Sequence, residues 1–291
     1  MRSLLDLARR HADTHADRFG LAPTPFRGLG IVRQLHPGEL QVAVQRPLIA
    51  ICLQGRKRVT MGTTGFDYGA GEALVITADV PTTSQILDAS PATPYYALAL
   101  ELDPALLRTL SVEADLRPAD AAPVRIEPAD PDVTDAALRL MRLLDRPAAL
   151  PILGEALLRE MHYWLLTGRH GSAIRALGAV DSHAHRIARA VAVIRRDYAN
   201  TLRIGDLAEE AGMSESSFHQ HFRAITTLSP LQFQKQLRLI EARRLMLAQG
   251  AAISHAAHAV GYESVPQFTR DYARLFGAPP GRDMREARIS A

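Results

Sequence analysis

Cysteine is nearly absent: Cys52 is the only one in 291 residues. A lone thiol closes no internal disulfide and builds no thiolate metal cluster, and its scarcity fits a reducing cytoplasm. Long apolar runs are missing too, since none approaches the roughly 18 residues of a membrane span. Arg9, Arg10, Asp13 and Asp17 interrupt the N-terminal segment, so no secretory leader core is expected. Histidine is scarce where a metal cradle would need it, with His36 alone between residues 16 and 161. No metal or other cofactor is expected from such a set.

A large excess of one charge is also lacking, the net charge being +3, but what there is lies unevenly. From Val180 to Ala291, fifteen Arg and Lys stand against eleven Asp and Glu, a balance of +4, and the remainder carries −1. A modest positive balance on one segment suits a polyanion partner. The apolar fraction of 47% and charged fraction of 22% are those of an ordinary globular chain. The length suggests about two domains.

Residues 1–23 read as an N-terminal arm, helical over 1–20, with Leu4, Leu5 and Leu7 apolar and Gly20 as the stop. Residues 24–125 carry short runs of Val, Ile, Leu and Thr, such as Leu48 to Leu53 and Ala73 to Thr77, between Gly, Pro and Asp. That pattern predicts an all-β sandwich or barrel. Residues 126–180 read as a helical connector, in which Leu153, Leu157, Met161, Trp164 and Leu165 recur on one helical face. The stripe fits a dimer interface or packing onto the β domain equally well. A joint rich in Gly, Ala and Ser, Gly171 to Ser182, leads into an all-α segment, 181–291. The fold class is thus α+β multidomain.

The last segment repeats itself. Ser214, Phe218, Phe222 and Pro230 recur as Ser264, Phe268, Tyr272 and Pro280 at an offset of 50. Ahead of them, Ala208 and Gly212 recur as Ala257 and Gly261 at an offset of 49, so the second turn has one extra residue. Each copy reads as a small-residue helix, a glycine turn, a serine cap and an amphipathic helix, the helix-turn-helix plan. Ser264 with Gln267 makes a capping-box pattern, and Pro266 sits in the first turn, where its missing N–H does no harm.

In the first copy Phe218, Phe222 and Ile225 would face a core, and Ser216, Ser217, His219, Gln220 and Arg223 would be offered to DNA. In the second, Phe268, Tyr272 and Leu275 face inward, while Ser264, Pro266, Gln267, Arg270 and Arg274 are the candidates. Arg, Gln, Ser and His are the side chains that base edges and phosphates call for. A lone polar helix face would be read as solvated surface; two copies with matching turns and caps favour double-stranded DNA. Ser229-Pro230-Leu231-Gln232 opens a long helix between the copies, which would place two recognition helices in successive major grooves, roughly 34 Å apart.

This arrangement resembles the AraC/XylS family of transcription regulators. The residues that carry it include Ala211-Gly212-Met213-Ser214, Ser229-Pro230, Arg238, Ala242-Arg243, Gly261-Tyr262-Glu263-Ser264, Gln267-Phe268 and Phe276-Gly277-Ala278-Pro279-Pro280, within 183–288. By that resemblance, base contacts would come from Ser216, His219 and Gln220, with Pro266, Gln267 and Arg270 in the corresponding second positions. Thr227 departs from the pattern, standing where the second copy has Gly277. A β-branched residue is costly at a left-handed position, so the first recognition helix is expected to end differently. Specificity is expected to lean on the second copy.

The string Pro47 to Asp88, with Gln54-Gly55-Arg56-Lys57, Met61-Gly62 and Phe66-Asp67-Tyr68, is similar to one branch of that family with a cupin-like sensor domain. The resemblance implies a regulatory β-barrel answering to an unidentified small molecule, with RNA polymerase as a further partner. Cys52 and Gln54, in phase on one strand, are candidate effector contacts. For Cys52 a buried structural thiol is weighed above a redox sensor. His255 and His258 read as a surface pair. A cupin enzyme with a DNA-binding appendage would require a metal set or an activated cysteine, and an adaptor without DNA would not require the duplicated Arg and Gln faces. The sequence thus reads as a DNA-binding regulator, an activator more than a repressor, and not an enzyme.

Overall fold

The computed structural model describes residues 1–38, 41–62, 64–117, 124–178 and 182–289. It divides into two compact units. The first comprises Met1–Glu39, Gln45–Ala78 and Ser84–His185; the second comprises Arg186–Ala291 together with Leu40–Val44 and Asp79–Thr83.

The first unit opens with helix α1 (Arg2–His15), which buries Leu4, Ala8 and Ala12 at four-residue spacing. It stops five residues short of Gly20, for a local reason. The Asp17 carboxylate accepts from the N–H groups of Phe19 and Leu21 at 2.8 and 2.9 Å, and this side-chain turn outcompetes another helical turn. Among the described residues ten strands follow along the chain, β1 (Leu21–Pro23), β2 (Leu29–Gln34), β3 (Gln41–Gln45), β4 (Leu48–Gln54), β5 (Arg56–Met61), β6 (Thr64–Gly69), β7 (Glu72–Ile76), β8 (Val80–Asp88), β9 (Tyr95–Glu101) and β10 (Val124–Pro128), of which most of β3 and the start of β8 are grouped with the second unit.

They form an antiparallel six-stranded sheet, β1-β2-β9-β4-β7-β10, and a four-stranded sheet, β3-β8-β5-β6. The β region therefore runs past the expected boundary at 125, because Val124 to Pro128 pairs with β7 along its whole length. One face of the larger sheet carries Ile49, Ile51, Leu53, Val75, Tyr96, Leu98 and Leu100, all in one core. Four more helices, α2 (Pro104–Glu113), α3 (Pro131–Leu143), α4 (Leu150–Thr167) and α5 (Gly171–Gly178), belong to this unit.

The stripe on α4 turns mainly inward. Met161 and Leu165 are fully buried, Leu157 and Trp164 pack against the same core, and only Leu153 is exposed. Most of the expected joint is helix α5, while 179–181, with the expected boundary at 180, lie outside the described residues.

Beyond those strand residues the second unit is helical: α6 (His183–Asp197), α7 (Ile204–Glu210), α8 (Glu215–Thr226), α9 (Pro230–Gln249), α10 (Ile253–Ala259), α11 (Val265–Phe276) and α12 (Pro280–Ile289). It has two small cores. Phe218, Phe222, Phe233 and Leu237 centre one, and Leu239, Ala242, Phe268 and Tyr272 centre the other. Helix α9 serves both, which explains why it has no single apolar face. Each fully buried side chain of this kind contributes about 1.5–3 kcal/mol. Among the described residues no helix is long and apolar enough to cross a membrane.

The first amphipathic helix does not end differently from the second. Thr227 takes the left-handed conformation (φ 65°) and its N–H reaches Arg223 O, as Gly277 (φ 79°) reaches Ala273 O. The neighbouring Thr226 hydroxyl, donating to Phe222 O at 2.8 Å and accepting from Leu228 N at 3.3 Å, holds the chain in this turn. The strain at Thr227 is therefore borne, not avoided. Thr227→Gly is expected to stabilise the protein by about 1 kcal/mol, relief of strain outweighing the added freedom of the unfolded chain. Urea unfolding checks this; a lower midpoint would contradict it.

Candidate nucleic-acid interface

The helix pairs α7–α8 and α10–α11 are built by the same local chemistry. Helix α7 closes with Gly212 N to Glu209 O and Met213 N to Ala208 O; helix α10 closes with Gly261 N to His258 O and Tyr262 N to Ala257 O. Both are paired terminal bonds around a left-handed glycine, φ 62° and 85°. Ser214 and Ser264 then cap the second helices, each accepting the N–H three residues on, at 3.4 Å. The complete reciprocal capping box forms at Ser229 and Gln232 instead. At Ser264 only the serine half is made, which leaves the Gln267 side chain exposed at the surface.

Each second helix presents its two faces as the wheel requires. Phe218, Phe222, Phe268 and Tyr272 are fully buried, and Ile225 and Leu275 pack at the core margins. Ser216, His219, Gln220 and Arg223 are exposed on α8, with Ser217 half-buried. Pro266, Gln267, Arg270 and Arg274 are exposed on α11, and Ser264 is half-buried as its cap. Among the described residues, Gln220, Arg223, Gln267, Arg270 and Arg274 make no side-chain hydrogen bond or ion pair. Two rows of uncommitted donors thus lie on matching faces of two matching helices.

What joins the pairs is a hub on α9. The Arg238 guanidinium donates to the carbonyls of Tyr198 (2.6 Å), Ala199 (3.2 Å), Asn200 (2.9 Å) and Gly261 (3.0 Å). Buried Gln234 donates to Tyr198 O and Asn200 O at 2.9 and 2.7 Å. The first three carbonyls follow the end of α6, where helix geometry leaves acceptors without partners and the helix dipole favours a cation. The fourth belongs to the glycine turn of the second pair. A Cβ on Gly261 would lie 2.0 Å from Ala199 O, so only glycine admits this approach.

A second buried network fixes the far side. Asp283 bonds Arg243 Nε and Nη2 at 2.8 and 3.0 Å and accepts the Tyr272 hydroxyl. Burial is the largest influence and would raise the Asp283 pKa, but the Arg243 and Tyr272 hydrogen bonds and the Arg243 charge together outweigh it and hold the carboxyl below the usual range. Lys235 and the Tyr262 hydroxyl meet Asp271 at 2.7 and 3.4 Å.

The two candidate effector residues part company. A β-bulge separates them, for Cys52 lies opposite Ala97 while Gln54 lies opposite Tyr96. Gln54 donates to Pro94 O at 2.7 Å and accepts from Arg9 of α1 at 3.4 Å. Cys52 has no solvent exposure, and burial pushes its thiol up to about 12. His255 and His258 are exposed on α10, with His258 Nδ1 3.0 Å from Tyr262 O. Sequence reading found the exposed faces but not the work of Arg238; an arginine amid the apolar residues of α9 was the available sign.

Residues 25–173 match the AraC-type transcriptional regulator N-terminus, and 207–286 match a helix-turn-helix domain. A putative AraC-like transcription regulator of Streptomyces lividans is 32% identical over 95 residues, 33% of this chain and 31% of that protein. The transcriptional regulator ExsA of Pseudomonas aeruginosa is 29% identical over 89 residues, 31% of this chain and 32% of that protein. The match thus spans about a third of the length of these curated relatives. Among solved structures, ToxT of Vibrio cholerae shares the fold with a TM-score of 0.59 at 10% identity, covering 88% of this chain and 97% of ToxT. A ToxT form bound to an unsaturated fatty acid gives 0.55 at 10% identity, over 90% and 97%.

Two outcomes follow from the geometry. Arg238→Met is expected to cost about 2 kcal/mol in urea unfolding, because four carbonyls, three of them in part-buried bonds, lose a charged donor at once; a cost below about 0.5 kcal/mol would show the hub to be idle. Cys52 is expected to react with a thiol reagent only as fast as the protein opens. Labelling of the native protein at the rate of a free cysteine would contradict its placement.

Proposed function

The chain belongs to the AraC-type transcriptional regulators, and we propose that it reads a DNA site through two helix-turn-helix motifs carried by the second unit. In this reading α8 and α11 are the recognition helices. Ser216, His219, Gln220, Gln267 and Arg270 meet base edges, and Arg223 and Arg274 meet phosphates. Ser217, Ser264 and Pro266 set the helix starts against the backbone. The observation that carries the reading is the duplicated presentation of uncommitted Gln and Arg side chains on equally capped helices. Arg and Gln discriminate bases by paired hydrogen bonds that Ser and His supply less well, so α11 is the stricter reader.

The strands of the first unit are read as the wall of a cupin-like sensor that binds a small molecule. The family match over 25–173 supports a sensing role, and ToxT, which shares the fold, has been solved with an unsaturated fatty acid. RNA polymerase is the partner through which such a regulator would act as an activator. Exposed Ile152 and Leu153 at the start of α4 would suit a second copy of the chain.

Fluorescence anisotropy of the full chain on a duplex selected from a random library tests the reading. Gln267→Ala and Arg270→Ala are each expected to weaken binding by about 1–3 kcal/mol and to relax specificity at one position. Arg223→Ala and Arg274→Ala are expected to weaken binding on all sequences and lower the salt slope by about one unit. Intact binding in the Gln267 and Arg270 variants, with binding abolished by His219→Ala, would overturn the ranking of the two helices.

A further inference from the structure

Strands β5 and β6 form a hairpin in which Lys57 stands opposite Tyr68, Val59 opposite Phe66 and Arg58 opposite Asp67. Directly opposed residues of an antiparallel pair share a face. Arg58 and Asp67 form an exposed bidentate ion pair, with both bonds at 2.6 Å, so theirs is the outer face. Lys57 and Tyr68 therefore share the inner one. Tyr68 is 2% exposed, and its hydroxyl lies 3.5 Å from that of Tyr95 on β9 of the other sheet, which is 1% exposed. Cys52, fully buried on β4, is a further polar group of the interior, and its Sγ is already directed at Gln54 O and Gly55 O.

Lys57 is the anomaly in this space. Among the described residues it makes no ion pair and no hydrogen bond, whereas Arg58 beside it is fully paired on the outside. Burial lowers its pKa, opposed only by the nearby Cys52. A cation with its stem in a protein interior and no counter-charge is costly, and native proteins normally pair such a group. The tyrosines add to the imbalance. Two hydroxyls carry two protons, and one long bond between them uses one, so a phenolic O–H is left without an acceptor. Among the described residues no acid is paired with Lys57, Tyr68 or Tyr95, and Glu72, the carboxylate near Cys52, accepts from Gly69 N instead. One ammonium and one spare hydroxyl thus form a set of donors lacking an anion.

We propose that the first unit binds an organic monocarboxylate on the inner face of the β5–β6 hairpin, its carboxylate held by Lys57 and by the hydroxyl pair of Tyr68 and Tyr95. A single charge is specified because Lys57 is the one inward cation of the hairpin; a doubly charged oxyanion would be left half-compensated. Val59 and Phe66 beside it suit an apolar body behind the carboxylate. The proposal rests on reading the first unit as a sensor and names what it senses.

Isothermal titration of the full chain with a series of monocarboxylates from benzoate to decanoate, each against its primary amide, tests it. At least one carboxylate is expected to bind at least tenfold more tightly than its amide. Lys57→Met is expected to abolish that preference, and Tyr68→Phe with Tyr95→Phe to reduce it severalfold. Without ligand, Lys57→Met is expected to melt no lower than the parent, since it removes an unpaired charge, which a merely structural lysine would not do. The carboxylate–amide comparison needs no variant, so it stands even where a substituted chain fails to fold. If no carboxylate outbinds its amide, or Lys57→Met keeps the preference, the proposal is overturned. Carboxylate binding that leaves DNA affinity unchanged would instead refute the sensing role while leaving the site in place.

Discussion

The second unit depends on one guanidinium. Arg238 sits midway along α9 and gathers carbonyls from the end of α6 and from the glycine turn of the second helix pair. Helix α9 alone would connect two small cores, each with only a few large side chains, and such cores hold their neighbours loosely. The charge-assisted bonds convert the connection into a fixed geometry, because the acceptors are backbone atoms that cannot rotate away. The same bonds satisfy carbonyls that the end of α6 would otherwise leave unpaired. One residue thus completes a helix terminus and sets the relation between two surfaces that would read DNA.

Around this hub, roles divide along the chain according to which polar groups are spent. In the second unit, buried polar side chains are committed: Gln234 to carbonyls, Asp271 to Lys235 and Tyr262, Asp283 to Arg243 and Tyr272. The outward groups of α8 and α11 remain available. In the first unit the pattern is reversed at the β5–β6 hairpin, where the outer ion pair is satisfied and the inner lysine is not. Spare donors outside one unit and inside the other are what an output surface and an input site require.

Much of this was legible in the sequence, wherever a property depends on neighbours along the chain. The duplication, the serine caps, the glycine turns and the in–out division of α8 and α11 all follow from local spacing, and the structure places those residues as spacing demands. Features set by distant partners were not legible. The bulge that separates Cys52 from Gln54 arises from pairing with β9 and shifts the side chains out of phase. Strand β10 is five residues long and gains its identity only from pairing with β7. Thr227 broke a local rule, and the expected remedy was a different helix end; the Thr226 hydroxyl supplies the actual one. Arg238 and Lys57 look like ordinary surface cations until the carbonyls around the first, and the lack of any paired acid among the described residues for the second, are seen.

The central claim is that two equivalent helices on one rigid unit read one stretch of DNA. Hydroxyl-radical footprinting of the full chain on a selected duplex tests it most directly. The account predicts two protected patches on one face of the helix, their centres about one turn or 10 base pairs apart. Arg270→Ala should weaken one patch and Gln220→Ala the other. A single patch, or two patches that both vanish with one substitution while the other leaves them untouched, would contradict it.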